Sequence, residues 1–451
     1  MELYRLERPK IEPEDRLAVI QALEDSARRQ EIDAFIERAN EPEYKHWESA
    51  KHQKPLPGGL TPVQAWYAVR LARSFERISS KIQSKDKESF GWVRLAHIER
   101  DCHELDLHAG GDLMASVADL KADEKRRFIS KGLMDEAIAS AQLEGADTGR
   151  VYAQRMLRER IAPRNTSDVM ILNNHRAMIA VESELKTRPL SLDLLLEMHS
   201  ILTDSTLDAQ GEVPRLRREG EPVDVHDDTY VYHRGPDVSF VKTSLMSLVQ
   251  FANDDESSFV HPIVKAAMLH FWIGYLHPFT DGNGRLARLL FYWYLLQPRH
   301  DYWAIAYLPI AAKIKSGGKK GYTMAYVYSE QDGNDLTYFV SYVIRKVKEA
   351  YKDFKVHVER ARREGAEIAG SARKKYGLND RQIFLIKYLR SNDEHSTAIG
   401  SYQAVNRVSR ATSFNDLASL VKAGFLKKKR IGHVIHFYGT EKIKTLMPSE
   451  E

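Results

Sequence analysis

The chain has few of the features that mark secreted, membrane or metal-cluster proteins. Its 451 residues include a single cysteine, Cys102, which excludes an internal disulfide framework and argues against a cysteine-based metal site. The apolar runs are too short to span a bilayer, and the amino-terminal stretch MELYRLERPKIEPEDR has no apolar core of signal-peptide length. We therefore expect a cytoplasmic protein with no membrane partner.

An excess of one charge is also lacking. The 67 Lys and Arg residues nearly balance the 63 Asp and Glu residues, which leaves a formal net charge of +4. The total charge therefore demands neither a nucleic-acid nor a membrane partner. The length suggests about three domains, and no internal repeat is evident.

One segment, His277 to Arg288, carries the chemistry and reads HPFTDGNGRLAR. Upstream, residues 261–276 have apolar positions spaced three and four apart, and Pro278 predicts that this helix ends near His277. Downstream, LARLLFYWYLL resumes helical periodicity, so the Gly-Asn-Gly turn opens a second helix. Unpaired N–H groups at a helix N-terminus and closely approaching glycines predict a phosphate site.

The side chains of this segment suit polyphosphate chemistry. Arg285 and Arg288 share one helical face and suit phosphate oxygens. Asp281 offers a hard oxygen ligand for Mg²⁺, and His277 suits a general base for an incoming hydroxyl. Phe279 is interpreted as an anchor that holds the loop to the core. Each residue alone also has an ordinary structural interpretation, but their occurrence together favours the chemical one.

The segment resembles the signature of Fic-domain proteins, HxFx(D/E)GNGRxxR, with every specified position filled. The resemblance implies a nucleotidyltransferase of mainly α, Fic-type bundle fold that moves AMP from ATP to a Ser, Thr or Tyr hydroxyl of a target protein and releases diphosphate. It implies that His277 deprotonates the hydroxyl and that Asp281 holds Mg²⁺ on the α- and β-phosphates.

The same resemblance assigns the remaining positions of the motif. It implies that Gly282, Asn283 and Gly284 cradle phosphates. By the same resemblance, Arg285 stabilises the leaving charge and Arg288 grips the γ-phosphate.

Two flanking segments fit the same family. Residues Glu221 to Gly235 predict a β-hairpin, which resembles the family's flap, whose edge can hold an extended target segment by strand addition. An ordinary surface hairpin is the alternative. In the stretch after the motif, Tyr322 and Ser329 are the residues that we expect beside the adenine, although a tyrosine at helical spacing is also typical of a core.

Residues Ile138 to Ala146, IASAQLEGA, match the family's inhibitory pattern [S/T]xxxE[G/N]. A helix near residues 133–146 would place Ser140 and Glu144 on one face, with Gly145 ending the helix. We predict that Glu144 lies against Arg288 and so takes the guanidinium that the γ-phosphate needs. An ordinary surface helix is the alternative. The resemblance also implies that such a glutamate can orient water for the removal of AMP.

The chain divides by its patterns into four parts. Residues 1–123 predict a helical region interrupted at Pro55 to Pro62, whose first 50 residues either pack loosely or dock on the core. Residues 124–345 are the Fic-like catalytic domain, residues 346–376 predict a helical linker, and residues 377–451 form a separate unit.

The last part resembles a winged helix-turn-helix domain. An amphipathic helix after Asp380, a short second helix, a third helix ending at Gly424 and two strands around Ile431 and Gly432 are predicted. If the unit binds DNA, the predicted phosphate contacts are Arg407, Arg410, Lys427, Lys428, Lys429 and Arg430. A protein-docking or dimerisation module is an equal alternative.

Two functions therefore remain open. The first is an adenylyltransferase inhibited by its own Glu144, with self-modification and homodimer formation as further hypotheses. The second is a DNA-binding regulator whose Fic-like core serves as an ATP sensor or dimerisation body. The complete motif favours the first, because a sensor would not need His277.

Overall fold

The computed structural model describes residues 1–107, 122–207, 215–254, 259–300, 302, 308–390, 396–406, 408–431 and 434–444. The described chain is mainly α-helical, as expected, and it forms two compact units, residues 1–352 and 353–451. Both the predicted helical region 1–123 and the predicted catalytic domain 124–345 lie within the first unit. Among the described residues, no helix is long and apolar enough to cross a bilayer.

The helices that lie in the first unit, in the part of the chain that is described, are numbered in chain order. They are α1 (Pro13–Glu24), α2 (Ser26–Asn40), α3 (Trp47–Ala50), α4 (Pro62–Glu76), α5 (Ala96–Leu107), α6 (Ala122–Leu143), α7 (Arg150–Glu159), α8 (Thr166–Ser183), α9 (Leu192–Thr203), α10 (Val238–Asn253), α11 (Pro262–Leu276), α12 (Asn283–Leu295), α13 (Ile310–Ser316) and α14 (Lys319–Gln331). A single helix, α15 (Thr337–Tyr376), contains the predicted linker 346–376.

Helices α11 and α12 form the centre of the first unit. Helix α11 begins with Pro262, a residue suited to the first helical position, and the His261 side chain accepts a hydrogen bond from the Ile263 N–H. Nearly every residue of both helices is buried, as expected of helices that are packed on all sides. The predictions that the first helix ends near His277 and that the glycine turn opens the second are both confirmed.

The flap is present as β4 (Asp224–His226) and β5 (Tyr230–Arg234), which pair antiparallel. The opposite edge of β5 pairs in parallel with β1 (Glu2–Leu3), so the sheet order is β1-β5-β4. The amino-terminal segment therefore docks on the core. This pairing was not predicted, because a two-residue strand leaves no periodic pattern.

Residues 1–123 are not helical throughout, which corrects the prediction for this part. Strands β2 (Arg77–Gln83) and β3 (Ser89–Val93) form a hairpin. Phe90 packs edge-on against Phe271 and Tyr275 of α11, with ring centroids 5.1 and 5.3 Å away. Burial of Phe90 against α11 favours a strand here, although the surrounding sequence is helical in composition.

The second unit contains α16 (Asp380–Arg390), β6 (Ser396–Ala398), α17 (Ile399–Asn406), α18 (Arg410–Lys422), β7 (Leu426–Ile431), β8 (Val434–Gly439) and α19 (Glu441–Lys444). The three predicted helices and two predicted strands are present, and β6 adds a strand that was not predicted, in the order β6-β8-β7. Gly424 ends α18 with a positive φ of 77°. Arg407 and Gly432 lie outside the described residues.

Candidate active site

His277 lies at the end of α11 in a left-handed conformation with φ of 42°. Its Nδ1 is hydrogen-bonded to the Gly274 carbonyl, so Nδ1 carries the proton. Within the described part of the chain Nε2 has no hydrogen-bond partner. Burial and then the charge of the nearby His233 lower the pKa of His277 to about 4. At neutral pH, His277 therefore presents a lone pair on Nε2, as a general base requires.

Phe279 and Asn283 hold the loop that follows. Phe279 is buried and stacks on the His199 ring with centroids 3.7 Å apart, which confirms its interpretation as an anchor. The Asn283 side chain accepts a hydrogen bond from the Phe279 N–H at 3.0 Å and donates one to the Phe279 carbonyl at 2.8 Å. The side chain of Asn283 thus holds the shape of the loop, and only the backbone N–H of Asn283 is available to an anion at the start of the helix.

The two glycines of the motif are required for different reasons. Gly282 has a φ of 82°, and a Cβ there would fall 2.9 Å from Cγ2 of Thr203. Gly284 has an ordinary φ, but a Cβ there would overlap the carboxylate of Glu144. No side chain among the described residues caps the first turn of α12, so its N–H groups remain available to an anion.

Asp281 and Arg285 are paired with each other, with Oδ2 and Nη2 2.7 Å apart. Arg285 is buried and also donates to the Leu202 carbonyl at 3.1 Å, whereas the Asp281 side chain is 54% exposed. Nε of Arg285 and Nη1 of Arg288 are buried and have no partner in the described structure. Buried donors without acceptors are costly, and a phosphate would satisfy them.

Arg288 is held by helix α6. Its Nε donates to the Ser140 hydroxyl at 2.8 Å, and its Nη2 donates to the Ser140 carbonyl at 3.0 Å and to Oε1 of Glu144 at 2.8 Å. The predicted contact between Glu144 and Arg288 is therefore present. Burial favours the neutral form of both groups, but their mutual attraction outweighs it, so the pKa of Glu144 is lowered and that of Arg288 is raised.

The end of α6 explains how Glu144 reaches this position. Gly145 has a φ of 99°, its N–H donates to the Gln142 carbonyl, and the Ala146 N–H donates to the Ala141 carbonyl. These two bonds form a Schellman motif, which ends the helix directly after Glu144. The helix spans residues 122–143 rather than the predicted 133–146.

A cavity of about 110 Å³ joins these elements. It is lined by His277, Gly284 and Glu144, by Val225, Tyr232 and His233 of the flap, and by residues of α14 that include Lys319, Tyr322 and Tyr326. Ligand pockets usually measure about 300–1,000 Å³. The cavity is therefore smaller than a typical ligand pocket, and Glu144 forms part of its wall.

The two residues expected beside the adenine differ. Tyr322 lines the cavity, and its hydroxyl lies 2.7 Å from Nε2 of the buried His270. Ser329 does not line the cavity: it is fully buried, and its hydroxyl accepts a hydrogen bond from the Phe339 N–H at 3.2 Å. Ser329 lies seven residues after Tyr322 on the same helix, where it faces α15 and the core.

Three residues of the site were missed from the sequence. Nε2 of His199 lies 2.8 Å from the Asp281 carbonyl, Nε of Arg217 donates to the His277 carbonyl at 2.8 Å, and His233 lies beside the His277 ring. They come from α9, from the segment before the flap and from β5. No local pattern marks them, because each acts through a contact that is distant in sequence.

Part of the chain is similar in sequence to known proteins. Residues 189–295 match the model of the Fic/DOC family.

The protein adenylyltransferase fic-1 of Caenorhabditis briggsae is 32% identical over 124 residues, which cover 26% of this chain and 24% of that protein. The fic-1 protein of Caenorhabditis elegans is 36% identical over 106 residues, which cover 22% of this chain and 18% of that protein. The match thus spans a quarter or less of these relatives. The crystal structure of a Fic family protein from Desulfovibrio desulfuricans G20 aligns with a TM-score of 0.49 and 19% identity over 76% of this chain and 94% of that chain.

Proposed function

We propose that the protein is an adenylyltransferase, which moves AMP from ATP to a hydroxyl side chain of a target protein and releases diphosphate; the match of residues 189–295 to the Fic/DOC family supports this. The observation that carries this proposal is the cavity in which the free Nε2 side of a neutral His277 meets the uncapped start of α12. A base beside an anion site is the arrangement that the transfer of a phosphate-linked group requires.

In the proposed reaction the target hydroxyl attacks the α-phosphorus of ATP. His277 accepts the hydroxyl proton on Nε2 as the new oxygen–phosphorus bond forms, and the bond between the α-phosphorus and the bridging oxygen breaks. The N–H groups of the α12 start and the buried guanidinium of Arg285 hold the phosphates and stabilise the departing diphosphate. The hydroxyl belongs to a Ser, Thr or Tyr residue of the target, and self-modification is one form of this reaction.

The residues present fit Mg²⁺ as the companion of ATP. No group of three or more metal-ligating side chains occurs among the described residues, but Mg²⁺ usually binds through one or two carboxylates together with substrate phosphates. Asp281, about half exposed at the edge of the loop, is the carboxylate that would hold it. The metal would supply positive charge that neutralises the phosphates.

We further propose that the described conformation is self-inhibited. The Glu144 carboxylate lies over Gly284 and bonds Arg288, so it takes both the space above the start of α12 and the guanidinium of the γ-phosphate site. Ser140 supports this because its hydroxyl accepts a hydrogen bond from Nε of the same guanidinium. Removal of AMP by water that Glu144 orients is a second reaction of the same site.

The choice of label in ATP tests the proposed reaction. With ATP labelled on the α-phosphate, the Glu144→Gly variant should attach label to protein, and with ATP labelled on the γ-phosphate it should not. Glu144→Gly combined with His277→Ala is the matched control and should attach neither. Attachment of the γ-label would indicate phosphoryl transfer instead, and attachment of no label by any variant would contradict the proposal.

One observation favours a second, separate role for the carboxyl-terminal unit, which we propose to be a winged helix. Strand β7 exposes four consecutive basic side chains, Lys427, Lys428, Lys429 and Arg430, and Arg410 at the start of α18 is also exposed. Such a row suits phosphate contacts with DNA. Binding of the full chain to duplex DNA should fall steeply with salt and should be lost when the four strand residues are neutralised. Binding that is unaffected by their neutralisation would favour a protein-docking role.

A further inference from the structure

His233 on the flap strand β5 has a hydrogen-bond acceptor on each ring nitrogen. Nδ1 lies 2.7 Å from Oε2 of Glu330, and Nε2 lies 2.8 Å from the backbone carbonyl of Tyr275. A carboxylate and a carbonyl oxygen both accept hydrogen bonds. A neutral imidazole has only one N–H, so it would leave one nitrogen lone pair facing an acceptor.

Burial makes that alternative costly, because the His233 side chain is only 7% exposed. The doubly protonated ring satisfies both acceptors at once, and Glu330 compensates its charge. Burial by itself lowers the pKa of His233, but the charge of Glu330 and the two hydrogen bonds outweigh it, so the pKa is raised. The Tyr275 carbonyl lies in the last turn of α11, where a cation is also favoured by the helix dipole.

The His233 ring lies beside the proposed base, with the ring centroids of His233 and His277 5.6 Å apart. The other charges that act on His277 are Glu144 and Arg217, and Lys85 also acts on His233. When a triphosphate binds at the start of α12, its negative charge favours protonation of His277. A fixed positive charge on the flap opposes that effect.

We propose that His233 is a positioning residue for the transfer reaction, a buried imidazolium that ties the flap to the end of α11 and keeps His277 unprotonated beside bound ATP. This inference rests on the proposed adenylyltransferase function. The proton of the target hydroxyl then has one destination, Nε2 of His277. The like charge of His233 also favours the later release of that proton from His277, once the oxygen–phosphorus bond has formed and diphosphate has left.

The first experiment needs no activity. In the full chain labelled with ¹⁵N-histidine, both ring nitrogens of His233 should show the protonated imidazolium signature at neutral pH. Glu330→Gln should shift the His233 titration midpoint to lower pH, because the amide offers no charge. An unprotonated ring nitrogen on His233 at neutral pH in the wild type would overturn the inference, whether or not the protein transfers AMP.

The second experiment follows the pH profile in the Glu144→Gly background. His233→Gln removes a positive charge and should move the acidic limb of the transfer rate upward by on the order of one pH unit. The rate should therefore fall by up to about tenfold at acidic pH but much less at mildly alkaline pH. His226→Gln, which changes an exposed histidine on the neighbouring flap strand, is the matched control and should leave the profile unchanged.

The outcomes separate the two proposals. An equal loss at every pH in His233→Gln, with an unshifted His277 titration, would show a merely structural role and overturn the inference. If Glu144→Gly itself transfers no AMP, the proposed function fails while the nitrogen titrations still decide the state of His233. If His233→Gln does not fold, Glu330→Gln with its lowered His233 midpoint provides the same test of the acidic limb.

Discussion

Replacement of Glu144 by glycine should relieve the proposed self-inhibition and so raise the rate of AMP transfer. The wild-type contact is a charge-assisted hydrogen bond of 2.8 Å from Arg288, whose side chain is 3% exposed, to a carboxylate that is 28% exposed. Such bonds contribute about 1.5–3 kcal/mol. At about 1.4 kcal/mol for each factor of ten, ATP binding in the productive position should improve roughly tenfold to 150-fold.

Glu144 also covers Gly284, so its removal enlarges the 110 Å³ cavity. A displacement of the α-phosphorus by about 1 Å can cost on the order of 100-fold in rate, and relief of that displacement adds to the gain in binding. Arg288 keeps its two bonds to Ser140, so we expect the fold to survive. Bound ATP should raise the Tm of Glu144→Gly more than that of the wild type, because binding stabilises the folded state by mass action.

The assay compares the initial rate of label transfer from α-labelled ATP for wild type, Glu144→Gly and Glu144→Gln. Glu144→Gln keeps the shape and loses the charge, so its rate should fall between the other two. Glu159→Gly, which removes an exposed glutamate from the end of α7, controls for the general effect of a new glycine. If Glu144→Gly transfers label no faster than wild type although it binds ATP more tightly, the inhibitory role of Glu144 is refuted.

Three further results are expected. His277→Ala in the Glu144→Gly background should lower the transfer rate by roughly 10²–10⁴-fold while calorimetric ATP binding is retained, and an unchanged rate would exclude His277 as the base. Gly284→Ala should lower the free energy of unfolding in urea by about 1–3 kcal/mol in the wild type but by much less in the Glu144→Gly variant. The reason is that the three atoms nearest to the new Cβ all belong to Glu144. Equal losses in the two proteins would contradict the described position of that carboxylate. Folding lowers the pKa of Glu144, so the stabilisation from its charge is complete above the ordinary pKa of 4.5 and is lost as the pH falls through the folded-state pKa. The difference in Tm between wild type and Glu144→Gln should therefore be constant above pH 4.5 and should shrink below it. A difference that persists in acid would refute the charge pairing.

The sequence predicted well those parts of the site that are close together along the chain. Pro278 and the glycines of the motif mark the end of α11 and the start of α12, because proline and glycine restrict or permit backbone conformations locally. The hairpin of the flap follows from alternation around a turn. Glu144 could be matched to Arg288, more than 130 residues away, because residues 138–146 resemble the family's inhibitory pattern and the two side chains carry opposite charges.

Other features had no local signal. Strand β1 has two residues, and its pairing with β5 depends on backbone hydrogen bonds that any sequence can make. The hairpin β2–β3 lies in a region of helical composition, and the packing of Phe90 on α11 that stabilises it is a contact distant in sequence. Ser329 was expected in the cavity and shares a face of α14 with Tyr322, but the sequence does not show that this face packs on α15 two turns farther along the helix.

The sequence by itself therefore determined which residue types the candidate site offers: an imidazole, a carboxylate, guanidinium groups and a glycine turn at the start of a helix. Those properties belong to residue types and to spacings of a few positions. Only the tertiary structure decided the contact between His233 and Glu330, the hydrogen bonds of the Asn283 side chain to Phe279, and the position of the Glu144 carboxylate over Gly284. Each of these depends on which polar atoms meet when distant segments pack together, because a buried donor or acceptor must find its partner wherever the fold brings one within reach.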